Sequence, residues 1–124
     1  MTSERDRLVA VLDELDTTIG VAAAVLEASR VDNRRFRESI VRGDPLPEAM
    51  KAVTAPEVLG DVGRALKNLE ATRHRSRTAV FGVGMSEGVS IGELARLYGF
   101  SRQLAQRFAK EALEGCELTE SEQS

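Results

Sequence analysis

The chain has 124 residues, of which 42% are hydrophobic and 30% are charged, and its formal net charge is −3. This length supports one domain with a modest core, and this composition is that of an ordinary globular protein rather than a disordered one. No apolar run reaches the roughly 18 residues of a membrane span, and a single cysteine, Cys116, excludes an internal disulfide. We therefore expect a cytoplasmic protein with no membrane partner.

Charge is distributed unevenly along the chain. Residues 1–29 contain six acidic and two basic side chains, and residues 111–124 contain five Glu and no Lys or Arg. Residues 30–42 and 64–77 are basic, with five Lys or Arg in each segment. The negative total therefore does not exclude an anionic partner, because binding depends on the local charge of the surface that makes the contact.

An apolar repeat predicts a long first helix. Ser3 is a suitable N-cap, and apolar residues follow at alternating steps of four and three, the spacing of a helix that packs against another helix. The repeat consists of Leu8, Leu12, Leu15, Ile19, Ala22 and Leu26, and the same register continues to Ser29, Asn33, Phe36 and Ile40. We predict a helix from Ser3 to about Arg42, because residues 43–47 then bring one glycine and two prolines.

A second apolar repeat predicts a helix from about Pro56 to Ala79 or Phe81. It consists of Leu59, Val62, Leu66 and Leu69 and follows a capping-box pattern at residues 54–57, after a short helix expected at residues 48–53. The two long helices can pair as an antiparallel hairpin, within one chain or across a dimer. We therefore predict that residues 1–81 form a dimerisation region. Its predicted core contains the apolar residues of both repeats except Ala22.

Glycines and acidic residues mark the remaining boundaries. Gly82, Gly84 and Gly88 predict a flexible joint over residues 82–89, and the acidic composition of residues 114–124 predicts a flexible tail. Between them lies a two-helix motif at residues 90–113. The sequence as a whole thus predicts an all-α protein, in which a long N-terminal helical hairpin is followed by a compact C-terminal motif.

The C-terminal motif has a distinctive order of caps and apolar residues. Ser90 and Glu93 have the spacing of a capping box, Gly99 is placed to end the first helix in a left-handed conformation, and Ser101 can cap a second helix. The predicted core of the motif consists of Ile91, Leu94, Ala95, Tyr98, Gly99, Phe100, Ala105 and Phe108.

This motif resembles the helix-turn-helix of bacterial repressors, resolvases and the promoter-reading part of sigma factors. In that comparison Ala95 is the small residue where the two helices cross, and Gly99 is the turn glycine four residues later. Ala105 departs from the pattern, because this position is usually Val, Ile or Leu; Leu104 or a closer helix approach would compensate. The resemblance covers less than a fifth of the chain, and none is identified for residues 1–85.

The outer face of the second helix has the chemistry of DNA recognition. Arg pairs with guanine and Gln with adenine through two hydrogen bonds each, and the first residues of a recognition helix reach the base edges. We predict that Arg102, Gln103 and Gln106 contact bases. The predicted phosphate contacts are Ser101, Arg107 and Lys110, together with Arg73, Arg75 and Arg77 on the preceding helix, which as readily form a solvated helix face.

The sequence therefore predicts a homodimeric, sequence-specific regulator of transcription that binds double-stranded DNA in the nucleoid, more as a repressor than as an activator. Three alternatives stay open: a DNA-binding antitoxin or accessory factor whose N-terminal helices hold a protein partner, a nucleoid organiser, and a protein-interaction adaptor. We expect no enzyme activity and no cofactor, since there is no catalytic constellation. We also expect no metal, since His74 has no second ligand nearby.

Overall fold

A computed structural model describes the backbone of residues 3–53 and 56–123 and the side chains of residues 3–51 and 61–115. This part of the chain contains helices and no strand, so the all-α prediction is confirmed, including the long N-terminal helix. The helices are α1 (Glu4–Val41), α2 (Leu46–Val53), α3 (Pro56–Ser86), α4 (Ile91–Tyr98) and α5 (Arg102–Gln123).

The chain divides into two compact units. One unit combines Met1–Leu15 with Thr72–Ser124, and the other is Asp16–Ala71. Each long helix contributes one part to each unit. We call the first the terminal unit, since it contains both ends of the chain, and the second the middle unit.

The terminal unit is built around Phe81, which is fully buried on α3. Its ring stacks on Phe108 of α5 at a centroid distance of 5.6 Å and on Tyr98 of α4 at 6.0 Å. Phe100, in the turn between α4 and α5, stacks on Tyr98 at 4.8 Å. Four of the five aromatic residues of the chain thus meet in one core, and they provide most of its large apolar surface.

Two ion pairs tie the first part of α1 to the second half of α3 and the residue that follows it. Arg5 donates a hydrogen bond to Glu87 at 2.7 Å, and the Arg75 guanidinium donates two bonds to Glu14, at 2.6 and 2.9 Å. Residue numbers rise along α1 as they fall along α3, so the two helices run antiparallel within the terminal unit. The hydrogen bonds from Arg75 hold the pKa of Glu14 below its ordinary value, and Glu14 raises the pKa of Arg75.

The predicted glycine joint is mostly helical. The prediction that α3 ends at Ala79 or Phe81 is wrong, because the helix continues through Gly82 and Gly84 to Ser86. A Cβ atom at Gly84 would lie 2.8 Å from a methyl group of Leu94 on α4, closer than non-bonded carbon atoms approach. Gly84 is therefore needed for the close approach of two helices.

Past the motif, α5 is longer than the sequence indicated. Residues 114–124 were predicted to form a flexible acidic tail, but α5 continues to Gln123. The side chains from residue 116 onward lie outside the described part of the chain, so the charges of this segment are not placed.

In the middle unit, α1 turns an unexpected set of residues inward. The predicted repeat and the observed inner face share Ala22, Ser29 and Phe36. At the predicted positions between and beside these, the residue one place earlier in the chain faces inward instead, for example Val25 in place of Leu26. The inner face consists of Thr18, Ala22, Val25, Ser29, Asp32, Phe36 and Ser39. Ile19, Leu26 and Ile40 are instead exposed by 43% to 49%.

The same shift by one residue occurs elsewhere in the predicted hairpin core. On α3, Ala65 is buried and Leu66 is 43% exposed, and in the terminal unit Leu12 is 45% exposed. The side chain of Leu59 lies outside the described residues. Ser39, which takes the place of Ile40 on the inner face of α1, is satisfied by donating a hydrogen bond to Asp44 at 2.6 Å. The face that is covered therefore differs from the one that hydrophobicity alone indicates.

We expect Gly84→Val to lower the free energy of unfolding by about 1–3 kcal/mol, because the added methyl groups would overlap the buried Leu94 side chain. The matched control is Gly63→Val on the same helix, where a Cβ atom has open space and the change should stay within about 0.5 kcal/mol. Urea denaturation of both variants measures the difference. Equal destabilisation by the two substitutions would contradict the close approach of α3 and α4.

The Glu14–Arg75 pair should make stability depend on pH. Since the folded protein lowers the Glu14 pKa below 4.5, the contribution of the pair is present above that value and is lost as the pH falls through the lowered pKa. We expect Glu14→Gln to lower the urea midpoint at neutral pH and to match the parent protein in acid. Glu27→Gln is the control, because the Glu27 carboxylate is exposed and its pair with Arg30 is longer, at 3.7 Å. A pH-independent difference for Glu14→Gln would contradict this assignment.

Candidate nucleic-acid interface

Both ends of α4 are fixed by local hydrogen bonds. Ser90 has extended backbone angles, and its hydroxyl accepts a hydrogen bond from the Glu93 N–H at 3.1 Å. Gly99 is left-handed, with φ 71° and ψ 27°. The N–H of Phe100 donates to the carbonyl of Ala95 at 2.9 Å, which closes the helix in the manner of a Schellman motif. The predicted N-cap and the predicted turn glycine are both found at these positions.

Three residues, 99–101, separate the end of α4 from the start of α5. The hydroxyl of Ser101 accepts a hydrogen bond from the Leu104 N–H at 3.2 Å, and its carbonyl accepts from the Ala105 N–H at 3.0 Å. A three-residue turn that contains a left-handed glycine is typical of a helix-turn-helix. The turn therefore sets how α5 leaves α4.

Ala105, the departure from the usual pattern, is completely buried between the helices. Leu104 is half-buried and packs against the same core as Phe108. Leu104 thus adds apolar contact to the core beside the smaller side chain at position 105. Leu94 and Ala95 of α4 are buried opposite, so the predicted inner faces of both helices point into the core.

Helix α3 supports α5 through a polar and aromatic contact. The imidazole of His74 lies 4.9 Å from the Phe108 ring, and its Nε2 is 2.5 Å from Glu111 Oε2. Thr78 lies one turn along α3 and donates to the same carboxylate at 3.4 Å. Arg77 lies over the Phe100 ring at 5.5 Å. These contacts connect α5 and the turn before it to α3.

The outward side of α5 carries hydrogen-bond donors and positive charge. Its exposed side chains are Ser101, Arg102, Gln103, Gln106, Arg107 and Lys110, and we call this set the α5 outer face. Four of them line one shallow, open depression: Gln103, Gln106, Arg107 and Lys110. The structure thus brings together the predicted base contacts and three of the predicted phosphate contacts.

Few contacts within the chain compete for the α5 outer face. Within residues 3–51 and 61–115, neither Arg102 nor Arg107 forms an ion pair, and Lys110 is 3.9 Å from Glu114 on its exposed side. No acidic residue lies between Leu94 and Ala109. An anionic polymer would therefore approach this face without displacing a strong internal pair.

The three arginines predicted to flank the motif already have roles within the fold. Arg75 is bound by Glu14, and Arg77 is half-buried over Phe100. Arg73 is also half-buried and engaged within the chain. Their contact with phosphate stays a prediction, and it would require at least Arg75 to exchange one anionic partner for another.

Sequence reasoning missed the face of α3 that holds the motif in place. Phe81 was considered only as a helix end and His74 only as a possible metal ligand. Both lie on a face made by His74, Thr78, Phe81 and Met85, whose steps of four, three and four residues follow the helical period. The spacing is present in the sequence, but this face mixes polar and apolar residues, so it does not stand out as an apolar repeat.

Other kinds of site are not found within the described residues. They contain no group of three or more His, Cys, Asp or Glu side chains arranged to hold a metal ion. No helix among them is both long enough and apolar enough to cross a membrane.

Comparison of the chain with protein-family models, with curated proteins and with solved structures finds no match.

We expect Gly99→Ala to lower the free energy of unfolding by about 1–2 kcal/mol, because an L-residue at φ 71° is strained even though no neighbouring atom obstructs the added Cβ. Gly92→Ala is the matched control on the same helix, where the Cβ also has open space and φ is helical. It should be neutral or stabilising. Thermal denaturation of both variants tests this, and tolerance of Gly99→Ala would show that the turn does not need its left-handed residue.

Proposed function

We propose that the protein binds double-stranded DNA by placing the N-terminal half of α5 in the major groove, and that it acts as a sequence-specific regulator of transcription. The observation that carries the proposal is the α5 outer face, a row of Arg, Gln and Lys side chains on a helix held by a capped turn. Major-groove recognition needs donors of this kind on a helix whose position is fixed.

Each residue of the α5 outer face has a proposed role. Arg102, Gln103 and Gln106 lie in the first turns of α5, the part of a recognition helix that reaches base edges. Arg107 and Lys110 lie further along, where their charges can neutralise phosphates. Ser101 contributes the exposed N-terminus of the helix, which also favours a phosphate.

The proposal includes a homodimer and a repressor role. A single helix-turn-helix covers little DNA surface and seldom gives specific affinity by itself. Two copies related by a two-fold axis would read half-sites about 34 Å apart, one turn of the duplex. Repression requires only that the bound dimer occupy a promoter, whereas activation would also require a surface that contacts the polymerase.

DNA binding is tested by fluorescence anisotropy with the full chain. The duplex is first selected from a random-sequence pool, and binding to it is then compared with binding to a scrambled duplex of equal length over a range of salt concentrations. A preference for the selected duplex that persists as salt rises supports sequence-specific regulation. Equal, salt-sensitive binding to both would replace this proposal by a nucleoid organiser, and no enrichment from the pool together with no binding would favour a protein-interaction adaptor.

Arg102→Ala should weaken binding to the selected duplex by about 1–3 kcal/mol and relax the preference at one base pair, because it removes a bidentate contact to a base. Arg34→Ala is the control, since it removes the same charge from an exposed position on α1. Anisotropy titrations with single-base variants of the selected duplex measure both effects. Equal losses from the two substitutions, with the base preference intact, would contradict the assignment of α5 as the reading helix.

A further inference from the structure

The middle unit leaves an apolar row uncovered on α1. Ile19, Leu26 and Ile40 lie at intervals of seven and fourteen residues, so they fall on one side of the helix. Each is exposed by 43% to 49%, although the neighbouring inner face of α1 is covered. The position between Leu26 and Ile40 in this spacing is Asn33, which is also exposed. We call these four residues the α1 outer row.

An exposed apolar row with heptad spacing can pack against a second helix. Isolated exposed apolar residues are common on any protein surface and need no explanation. A row that repeats every seven residues differs from them, because it keeps facing one direction over several turns and can pack against a partner helix along its length. The helix from Asp16 to Arg37 is about 32 Å long, so the row offers an extended contact.

The charges beside the α1 outer row are complementary about Leu26. Seven residues before Leu26 is Ile19, and seven after it is Asn33. Ten residues before Leu26 is Asp16, and eleven after it is Arg37, on the same edge of the row. When a second copy is laid antiparallel with Leu26 opposite Leu26, Asp16 of each copy therefore lies beside Arg37 of the other.

Within the described residues, Asp16 and Arg37 form no ion pair and no hydrogen bond through their side chains, and both are exposed. In a parallel pair the same edge of the two helices would lie on opposite sides of the seam, so Asp16 and Arg37 would not meet. Only the antiparallel arrangement brings each Asp16 beside Arg37 of the other copy.

We propose that a second copy of this chain docks on the α1 outer row, antiparallel, with the two-fold axis at Leu26. The interface is isologous, because the same row is used by both copies. Leu26 packs on its own symmetry mate, Ile19 meets Asn33, and two Asp16–Arg37 pairs form at the edge. A polar residue within an apolar seam weakens association and fixes its register, which is the role of Asn33 here. This inference does not depend on DNA binding.

The first test compares two charged substitutions on α1 by sedimentation equilibrium of the full chain. Leu26→Asp should raise the dimer dissociation constant by more than about 100-fold, because it removes two leucines and places two carboxylates on the axis. Val21→Asp is the control, since Val21 is 53% exposed and lies about 140° around the helix from Leu26. It should leave the dissociation constant within about 3-fold of the parent, where tenfold corresponds to 1.4 kcal/mol.

Circular dichroism checks that both variants stay helical, which is expected because both parent side chains are exposed. A parent protein that is monomeric at all concentrations would overturn the proposal. So would a dimer that tolerates Leu26→Asp, or one that both substitutions weaken equally.

Cysteine cross-linking tests the direction and the register. In a Cys116→Ser background, Leu26→Cys should form a disulfide-linked dimer on mild oxidation, because residue 26 meets its own symmetry mate. Ile19→Cys alone should not, because it faces Asn33 of the other copy, whereas Ile19→Cys combined with Asn33→Cys should. Efficient cross-linking by Ile19→Cys alone would indicate a parallel pair and overturn the proposal.

A charge exchange keeps the proposal testable without disturbing the apolar row. Asp16→Arg or Arg37→Asp alone should weaken the dimer several-fold, since each places like charges together at two symmetric sites. The double variant should return the dissociation constant to within about 3-fold of the parent. Additive weakening in the double variant would show that the two residues do not face each other.

Discussion

The close contact between α3 and the α4–α5 pair is the constraint on which the terminal unit depends. A fully buried Phe81 can stack on Tyr98, Phe100 and Phe108 only because α4 comes near enough to α3, and that approach is possible only where Gly84 has no side chain. The short α4 has little stability of its own, since isolated helices of this length do not persist in water. Its position is therefore a property of the packed unit, and the direction of α5 follows from it through the Gly99 turn.

The sequence predicted the parts of this arrangement that are decided locally. Caps and turns depend on a few neighbouring residues, so Ser90, Gly99 and Ser101 could be placed from their spacing, and the observed hydrogen bonds agree. The role of Gly84 could not be inferred in this way. A glycine near the end of a helix has the same sequence signature whether it serves as a flexible joint or as the contact point of a second helix, and only the position of Leu94 distinguishes them.

Helix faces were the second limit of sequence reasoning. Hydrophobicity along α1 favours a row that contains Ile19 and Leu26, yet the chain turns Thr18 and Val25 inward at those places. The difference is a rotation of the seam by one residue at alternate positions. Ser39 is one of the residues turned inward, and its hydroxyl is satisfied by Asp44. The free energy of packing depends on shape, which a list of hydrophobicities does not contain. The larger apolar residues are left at the edge of the covered face.

The contact of Glu111 with α3 has an electrostatic consequence for the opposite side of α5. Glu111 directly follows Lys110, and a carboxylate there would weaken the positive potential around the lysine if it turned toward solvent on the same side. Because His74 and Thr78 bind this carboxylate, its charge is held against α3. Neighbouring residues on one helix thus present opposite charges in separate directions, and the α5 outer face carries only positive charge as far as Lys110, where Glu114 lies 3.9 Å from the ammonium group.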